Sequence, residues 1–100
     1  MSKASELKKQ VLSRMEERGI TANDNYVKNW HDFEIGHRFL FVEEVYRRNG
    51  VEENVTVKIY VTEKISEYTE KIMTTVKVPK NASAKVIDRR IDEAYAFLNR

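Results

Sequence analysis

The feature that most constrains the fold is an Asn-Gly pair followed by a long alternation of apolar and polar residues. Asn49-Gly50 is the commonest two-residue hairpin turn, because both of its positions take positive φ. Over most of residues 51–61, apolar side chains recur at every second position, which is typical of a strand with one buried face. The pair therefore predicts a preceding strand over residues 38–48. A helix over residues 32–48 is the alternative, since its apolar residues also fit a helical period.

The remaining elements carry their own start and stop signals. The spacing predicts a first helix over residues 5–18, ended by Gly19. A further strand over residues 68–78 ends at Pro79, which cannot donate a hydrogen bond to a ladder. A last helix follows over residues 82–99, with Asn81 or Ser83 as its N-cap. We predict an α+β fold in the order α-β-β-β-α, with an antiparallel sheet of three or four strands and both helices on one sheet face.

Turn geometry aligns the two predicted hairpins. If Asn49-Gly50 is the first loop and Ile65-Ser66 the second, Ile59 lies opposite both Leu40 and Ile72. One face then carries the side chains that we expect the helices to cover: Leu40, Val42, Val55, Val57, Ile59, Ile72 and Val76. The opposite face carries five bulky side chains: Phe39, Phe41, Val45, Tyr60 and Met73.

A fully solvated sheet face does not normally carry this much apolar area, so we expect it to be covered or bound. Residues 21–36 could form a short strand, a helical turn or an ordered loop, and their aromatic part, residues 26–35, could fold over this face. A second copy of the chain, or a ligand or partner, could cover it instead.

Length and composition exclude several classes of protein. One hundred residues suit a single domain, 1–100, and 41% hydrophobic residues are ordinary for a globular chain. There is no cysteine, which removes disulfides and thiol chemistry. A net charge of +2 indicates a mixed surface. The sequence has no signal-peptide core and no run of membrane-spanning length, so we expect a cytoplasmic protein.

No motif for catalysis or for a cofactor stands out. His31 and His37 lie with two carboxylates within seven residues, but their spacing does not match a helical zinc pair, and two surface histidines are the simpler interpretation. Glu43-Glu44 and Glu52-Glu53 flank the predicted turn. A turn is open to solvent and does not provide the cleft that acid–base catalysis by carboxylates needs. We predict no enzyme activity, no cofactor and no metal.

A basic stretch precedes and enters the last helix. Lys77, Lys80 and Lys85 lie within residues 77–85. A helix, three strands and a helix, in that order, is similar to the double-stranded RNA-binding domain, and the resemblance implies that these lysines meet phosphates across a groove. The glycine-rich approach and the adjacent lysine pair of that family are missing here.

Three function hypotheses follow. The first is a non-enzymatic binding or regulatory module, homodimeric, that makes protein–protein contacts through Phe39, Phe41, Tyr60 and Met73. The second is a nucleic-acid-binding domain, which uses the three lysines or stacks bases on the exposed aromatic rings. The third is an enzyme or small-ligand pocket with His31 or His37.

Overall fold

The computed structural model describes residues 3–24, 26–45 and 56–98. Both helices pack on one face of a four-stranded sheet, which confirms the α+β fold. None of the helices in these ranges is long and apolar enough to cross a membrane. The elements in chain order are helix α1 (Lys3–Glu17), strands β1 (Ala22–Asn23), β2 (Arg38–Val45), β3 (Thr56–Lys64) and β4 (Glu70–Val78), and helix α2 (Ala84–Leu98).

Helix α1 ends as its sequence predicts. Gly19 has φ 71°, the left-handed conformation that a Cβ would strain. Its amide donates to the Glu16 carbonyl at 3.0 Å, and the Ile20 amide donates to the Met15 carbonyl at 2.8 Å. This pair of bonds is the Schellman arrangement, which satisfies carbonyls at the end of a helix and turns Ile20 back onto the core.

Helix α2 is capped by Ser83, which decides between the two predicted caps. The Val86 amide donates to Ser83 Oγ at 3.4 Å, so an otherwise unpaired amide of the first turn is satisfied. Residues at helical spacing on α2 meet α1 and the sheet in one core. That core comprises Leu7, Val11, Met15, Leu40, Val42, Val57, Ile59, Val61, Val76, Val78, Ile87, Ile91 and Ala94.

The sheet is mixed and has the strand order β1-β2-β3-β4. The two residues of β1 pair in parallel with Leu40 and Phe41, whereas the other pairings are antiparallel. The prediction of a purely antiparallel sheet is therefore wrong at this edge. The strand at Arg38–Val45 is confirmed over a helix, and Asn49-Gly50 lies outside the described residues.

The pairing register also differs from the prediction. Ile59 lies opposite Val42 and Val76, and not opposite Leu40 and Ile72. The second loop is longer than two residues because Ser66 Oγ accepts a hydrogen bond from the Thr69 amide at 3.2 Å. This local bond closes a wider turn.

A β-bulge in β4 corrects two face assignments. Val61 pairs with Thr74 and Thr62 pairs with Ile72, so Met73 is the extra residue. An extra residue reverses the alternation beyond it. Ile72, predicted for the core, is therefore 56% exposed on the other face. Met73, predicted for that other face, packs against the helix-side core.

The two helices are joined by a cluster of charged side chains. The Arg14 guanidinium meets the Asp88 carboxylate through two hydrogen bonds of 2.7 Å. Arg18 also approaches Asp88 at 3.9 Å and forms an ion pair with Asp92. These groups are about one-third exposed or more, so solvent screens the cluster and its role is mainly geometric. The cluster links α1 to α2 beside the core that the two helices share.

Because of this cluster, we expect an Asp88→Asn variant to be less stable than the parent protein at neutral pH. The hydrogen bond from Arg14 lowers the pKa of Asp88, against a smaller opposing effect of desolvation. A lowered pKa means that the ionised form stabilises the fold above the unfolded value, and that this contribution is lost as pH falls through the folded value. Thermal melts of both proteins should differ at pH 7 and converge as the pH falls below the usual carboxyl pKa and then through the lowered pKa of Asp88. An unchanged difference at low pH would contradict this assignment.

Candidate docking face of the sheet

The sheet face away from the helices, called the outer face here, is covered at one end by residues 26–37, called the covering segment. The Trp30 ring meets Phe39 edge-on at 5.9 Å between centroids, and Phe33 lies 5.8 Å from Phe39. Phe33 in turn stacks on His37 at 4.2 Å. Phe39 is 6% exposed as a result. Aromatic contact of this kind adds to the stability gained from the buried area.

A buried lysine fastens the covering segment to the sheet. Lys64 is 4% exposed, and its Nζ donates to the carbonyls of Trp30 and Phe33 at 2.9 and 2.8 Å. The same ammonium lies 5.1 Å from the centroid of the Trp30 ring. A buried charge is costly unless it is paired with polar groups. These two carbonyls and the ring therefore hold Lys64 and the segment in one arrangement.

Hydrogen bonds to two backbone carbonyls complete the attachment of the covering segment. The Gly36 amide donates to the Lys64 carbonyl at 2.7 Å, and the Trp30 indole N–H donates to the Glu67 carbonyl at 2.6 Å. Asn29 enters the short 3-10 turn at Trp30–Asp32 with φ 60°. Left-handed backbone is uncommon outside glycine, although asparagine tolerates it. The covering segment is thus an ordered loop that contains one helical turn.

Beyond the covering segment, two aromatic side chains remain partly exposed on the outer face. Phe41 and Tyr60 lie directly opposite each other on β2 and β3, and each is only half-buried. The ring contacts of the covering segment reach Phe39, one position further along the face. Thr75 continues the Phe41–Tyr60 row onto β4. The row places two aromatic rings and a threonine side by side across three strands.

The next row of the outer face is charged. Lys58 lies opposite Glu43 on one side and opposite Lys77 on the other. Two like charges directly across a strand pair destabilise a sheet. Neither lysine forms an ion pair with another residue in the described ranges. The β3–β4 part of this row therefore presents positive charge beside the aromatic pair, whereas Glu43 adds a negative charge on β2.

Tyr60 connects the two rows electrostatically. Its partial burial raises the pKa of the Tyr60 phenol, and the nearby Glu43 carboxylate raises that pKa further. Both effects favour the protonated phenol, because burial and a neighbouring negative charge each oppose a phenolate. The Tyr60 hydroxyl therefore stays protonated beside Glu43, to which it is hydrogen-bonded, and the ring is the part that meets a partner at this face.

The structure separates residues that the sequence grouped. Of the four predicted surface residues, Phe41 and Tyr60 lie together on the outer face, Phe39 lies under the covering segment, and Met73 faces the helix-side core. The three predicted lysines occupy different elements. Lys77 is exposed at the end of β4, Lys80 is half-buried in the following turn, and Lys85 is exposed in the first turn of α2.

The histidines do not converge. Among the residues in the described ranges, no group of three histidine or acidic side chains is placed to hold a metal ion. A groove of about 610 Å³ opens beside β1 and includes His37, Phe33, Tyr26 and Tyr95 in its lining. His31 does not line this groove, so the two histidines do not share it.

Sequence reasoning missed Lys64, the residue that fixes the covering segment. The alternation of β3 places Lys64 on the same face as Tyr60, and an aromatic segment was already expected over that face. A lysine beneath an aromatic segment could therefore have been suspected of pairing with a ring.

Comparison with protein-family models, with curated proteins and with solved structures finds no match.

Proposed function

We propose that this protein is a non-enzymatic protein-binding module whose docking surface is the exposed part of the outer face. The observation that carries the proposal is the cross-strand pair Phe41 and Tyr60, each half-buried beyond the end of the covering segment. Aromatic side chains are enriched where proteins meet, because they bring a large apolar area at a low cost in side-chain entropy.

The neighbouring charges specify the chemistry of the partner. An apolar side chain of the partner would pack on the Phe41–Tyr60 row, while a carboxylate beside it would meet Lys58 and Lys77. Bringing a carboxylate to that pair would also relieve the repulsion between the two lysines. We therefore expect a partner surface with an apolar centre and an acidic border.

Site-specific photocrosslinking tests this proposal. A benzophenone amino acid replaces Thr75, the exposed residue that continues the Phe41–Tyr60 row. The protein is then irradiated in its native host. We expect a discrete protein adduct at this position. The same group at Arg89, exposed on α2, is the control position and should give no such adduct.

The adduct must depend on the aromatic pair. In a background carrying Phe41→Ser and Tyr60→Ser, the Thr75 adduct should be lost while the protein remains folded by circular dichroism. A protein adduct that survives in this background would overturn the proposal. So would the absence of a protein adduct at Thr75 when the control behaves as expected.

A second candidate function, binding of nucleic acid, is favoured by Lys58 and Lys77, which form no ion pair within the part of the chain that the structure describes and lie beside two aromatic rings. Lysines neutralise phosphates and release counterions, while bases stack on exposed rings. Lys80 and Lys85 would extend the positive surface toward α2. A nucleic-acid adduct, in place of a protein adduct, at Thr75 would support this candidate.

The salt dependence of binding gives the quantitative prediction for this second candidate. If the face binds single- or double-stranded RNA, replacing both Lys58 and Lys77 by glutamine should reduce the slope of log K against log salt by about 1 for each lysine. Lys8→Gln with Lys9→Gln on α1 is the control with the same change in net charge. Equal effects of the two double variants, or no binding at low salt, would exclude the candidate.

A further inference from the structure

Among the described residues, no strand pairs with the outer edge of β4, which is a different surface from the outer face. We propose that β4 pairs antiparallel with β4 of a second copy, across a twofold axis between Met73 and Thr74. β4 is the last strand in the sheet order and spans the nine residues Glu70–Val78. An edge strand presents a row of unpaired amides and carbonyls, which is a template for another strand.

The bulge leaves one register in which the edge is self-complementary. In an antiparallel pair, opposite residues must point to the same face. Because Met73 is the extra residue of the bulge, side chains on the two sides of it are out of phase. Pairing Met73 with Thr74 of the second copy restores the match along the whole edge. A shift of one residue would oppose outer-face side chains to helix-side ones.

This register also matches the charges. Glu70 lies opposite Lys77 of the second copy, and Lys77 lies opposite Glu70 of that copy; both side chains are exposed in the single chain. Ile72, which is 56% exposed, meets Thr75 of the second copy. Opposite charges and an aliphatic–threonine contact are favourable cross-strand pairs.

Lys71 is compatible with this pairing. Lysines on an edge strand, like bulges, commonly prevent strands from associating. In the proposed register Lys71 lies opposite Val76 of the second copy and not opposite a lysine. Val76 is only 6% exposed, so the exposed Lys71 side chain can turn to water there without facing a like charge. The lysines and the bulge of this edge therefore disfavour other pairing registers more strongly than the proposed one.

The assembly would join two four-stranded sheets into one and place the two outer faces side by side. A strand edge alone buries less than the roughly 1,600 Å² of a standard stable interface, so we expect a dimer of moderate affinity. The pairing does not depend on the protein-binding function proposed for the outer face. It would nevertheless double the surface available to such a partner.

Charge reversal in solution tests the register. Sedimentation velocity of the intact chain should show a concentration-dependent dimer. Glu70→Lys alone and Lys77→Glu alone should each weaken dimerisation at least tenfold. Each variant has like charges at positions 70 and 77, and these positions face each other twice in the dimer because of the twofold axis. An equimolar mixture of the two variants should recover dimers, since every contact then joins opposite charges. Lys85→Glu, on α2, is the control with the same change in charge as Lys77→Glu.

Several results would overturn the pairing. A chain that stays monomeric at high concentration would do so, as would single variants that dimerise like the parent or a mixture that does not recover dimers. Recovery on mixing cannot arise from misfolded variants, so the test holds even if one variant is less stable. Phe41→Ser with Tyr60→Ser should leave the dimer intact, which separates failure of this inference from failure of the outer-face function.

Discussion

Replacing Ile59 by alanine is expected to lower the free energy of unfolding by about 3 kcal/mol. Ile59 is 0% exposed and lies on the central strand β3, between Val42 and Val76. Truncation removes buried methyl and methylene groups and leaves a cavity that neighbouring strands cannot collapse to fill. Urea denaturation measures the loss, and the melting temperature should fall by roughly 15 °C.

Ile72→Ala is the matched control, because the local alternation assigned both isoleucines to one buried face. The bulge at Met73 turns Ile72 outward, where it is 56% exposed. Its truncation should change stability by less than about 0.5 kcal/mol in the monomer. Equal costs at the two positions would contradict the observed register, and the measurement is made at low concentration so that dimerisation does not contribute.

Replacing Lys64 by methionine is expected to release the covering segment and to cost about 2 kcal/mol. Methionine keeps the apolar stem but removes the ammonium that donates to the Trp30 and Phe33 carbonyls. The Phe33 carbonyl then loses this donor in a partly buried site, while the Trp30 carbonyl keeps the hydrogen bond from the Phe33 amide at 3.3 Å. Trp30 is the only tryptophan in the chain, so its fluorescence reports this segment alone.

The fluorescence of the Lys64→Met variant should shift to the red before the protein unfolds, because the indole gains contact with water. Amides of residues 30–37 should exchange faster with solvent than those of β3, which tests whether the segment opens separately. Lys71→Met, at an exposed position of β4, is the control and should change neither signal. An unshifted Trp30 spectrum in the Lys64 variant would show that the ring contacts and the hydrogen bonds to the Lys64 and Glu67 carbonyls hold the segment without the ammonium.

The residues with local signals were predicted well. Gly19 ends α1 because it alone among its neighbours tolerates positive φ without strain, and the turn bonds form within a few residues. Ser83 caps α2 through a bond to Val86, three residues away. The apolar period of each helix and strand likewise depends only on backbone geometry, so it can be predicted from the order of residues.

The candidate site was predicted only in part. Phe41 and Tyr60 share the outer face because both belong to strands whose alternation is regular. Phe39 has the same alternation, yet the covering segment hides it, and no local pattern tells which loop will lie over which strand. Met73 was assigned to the wrong face because a bulge depends on the partner strand and not on the bulged residues alone.

By itself, the sequence determined where the two helices and the three longer strands form, which side of each is mainly apolar, and that two faces of the sheet carry bulky side chains. Those properties come from backbone periods and from caps that act over a few residues. The tertiary structure alone decided the strand register, the parallel β1 edge, the bulge and the burial of Lys64 under Trp30. Each of these depends on contacts between residues far apart in the chain, whose free energies compete only once the strands and loops have met.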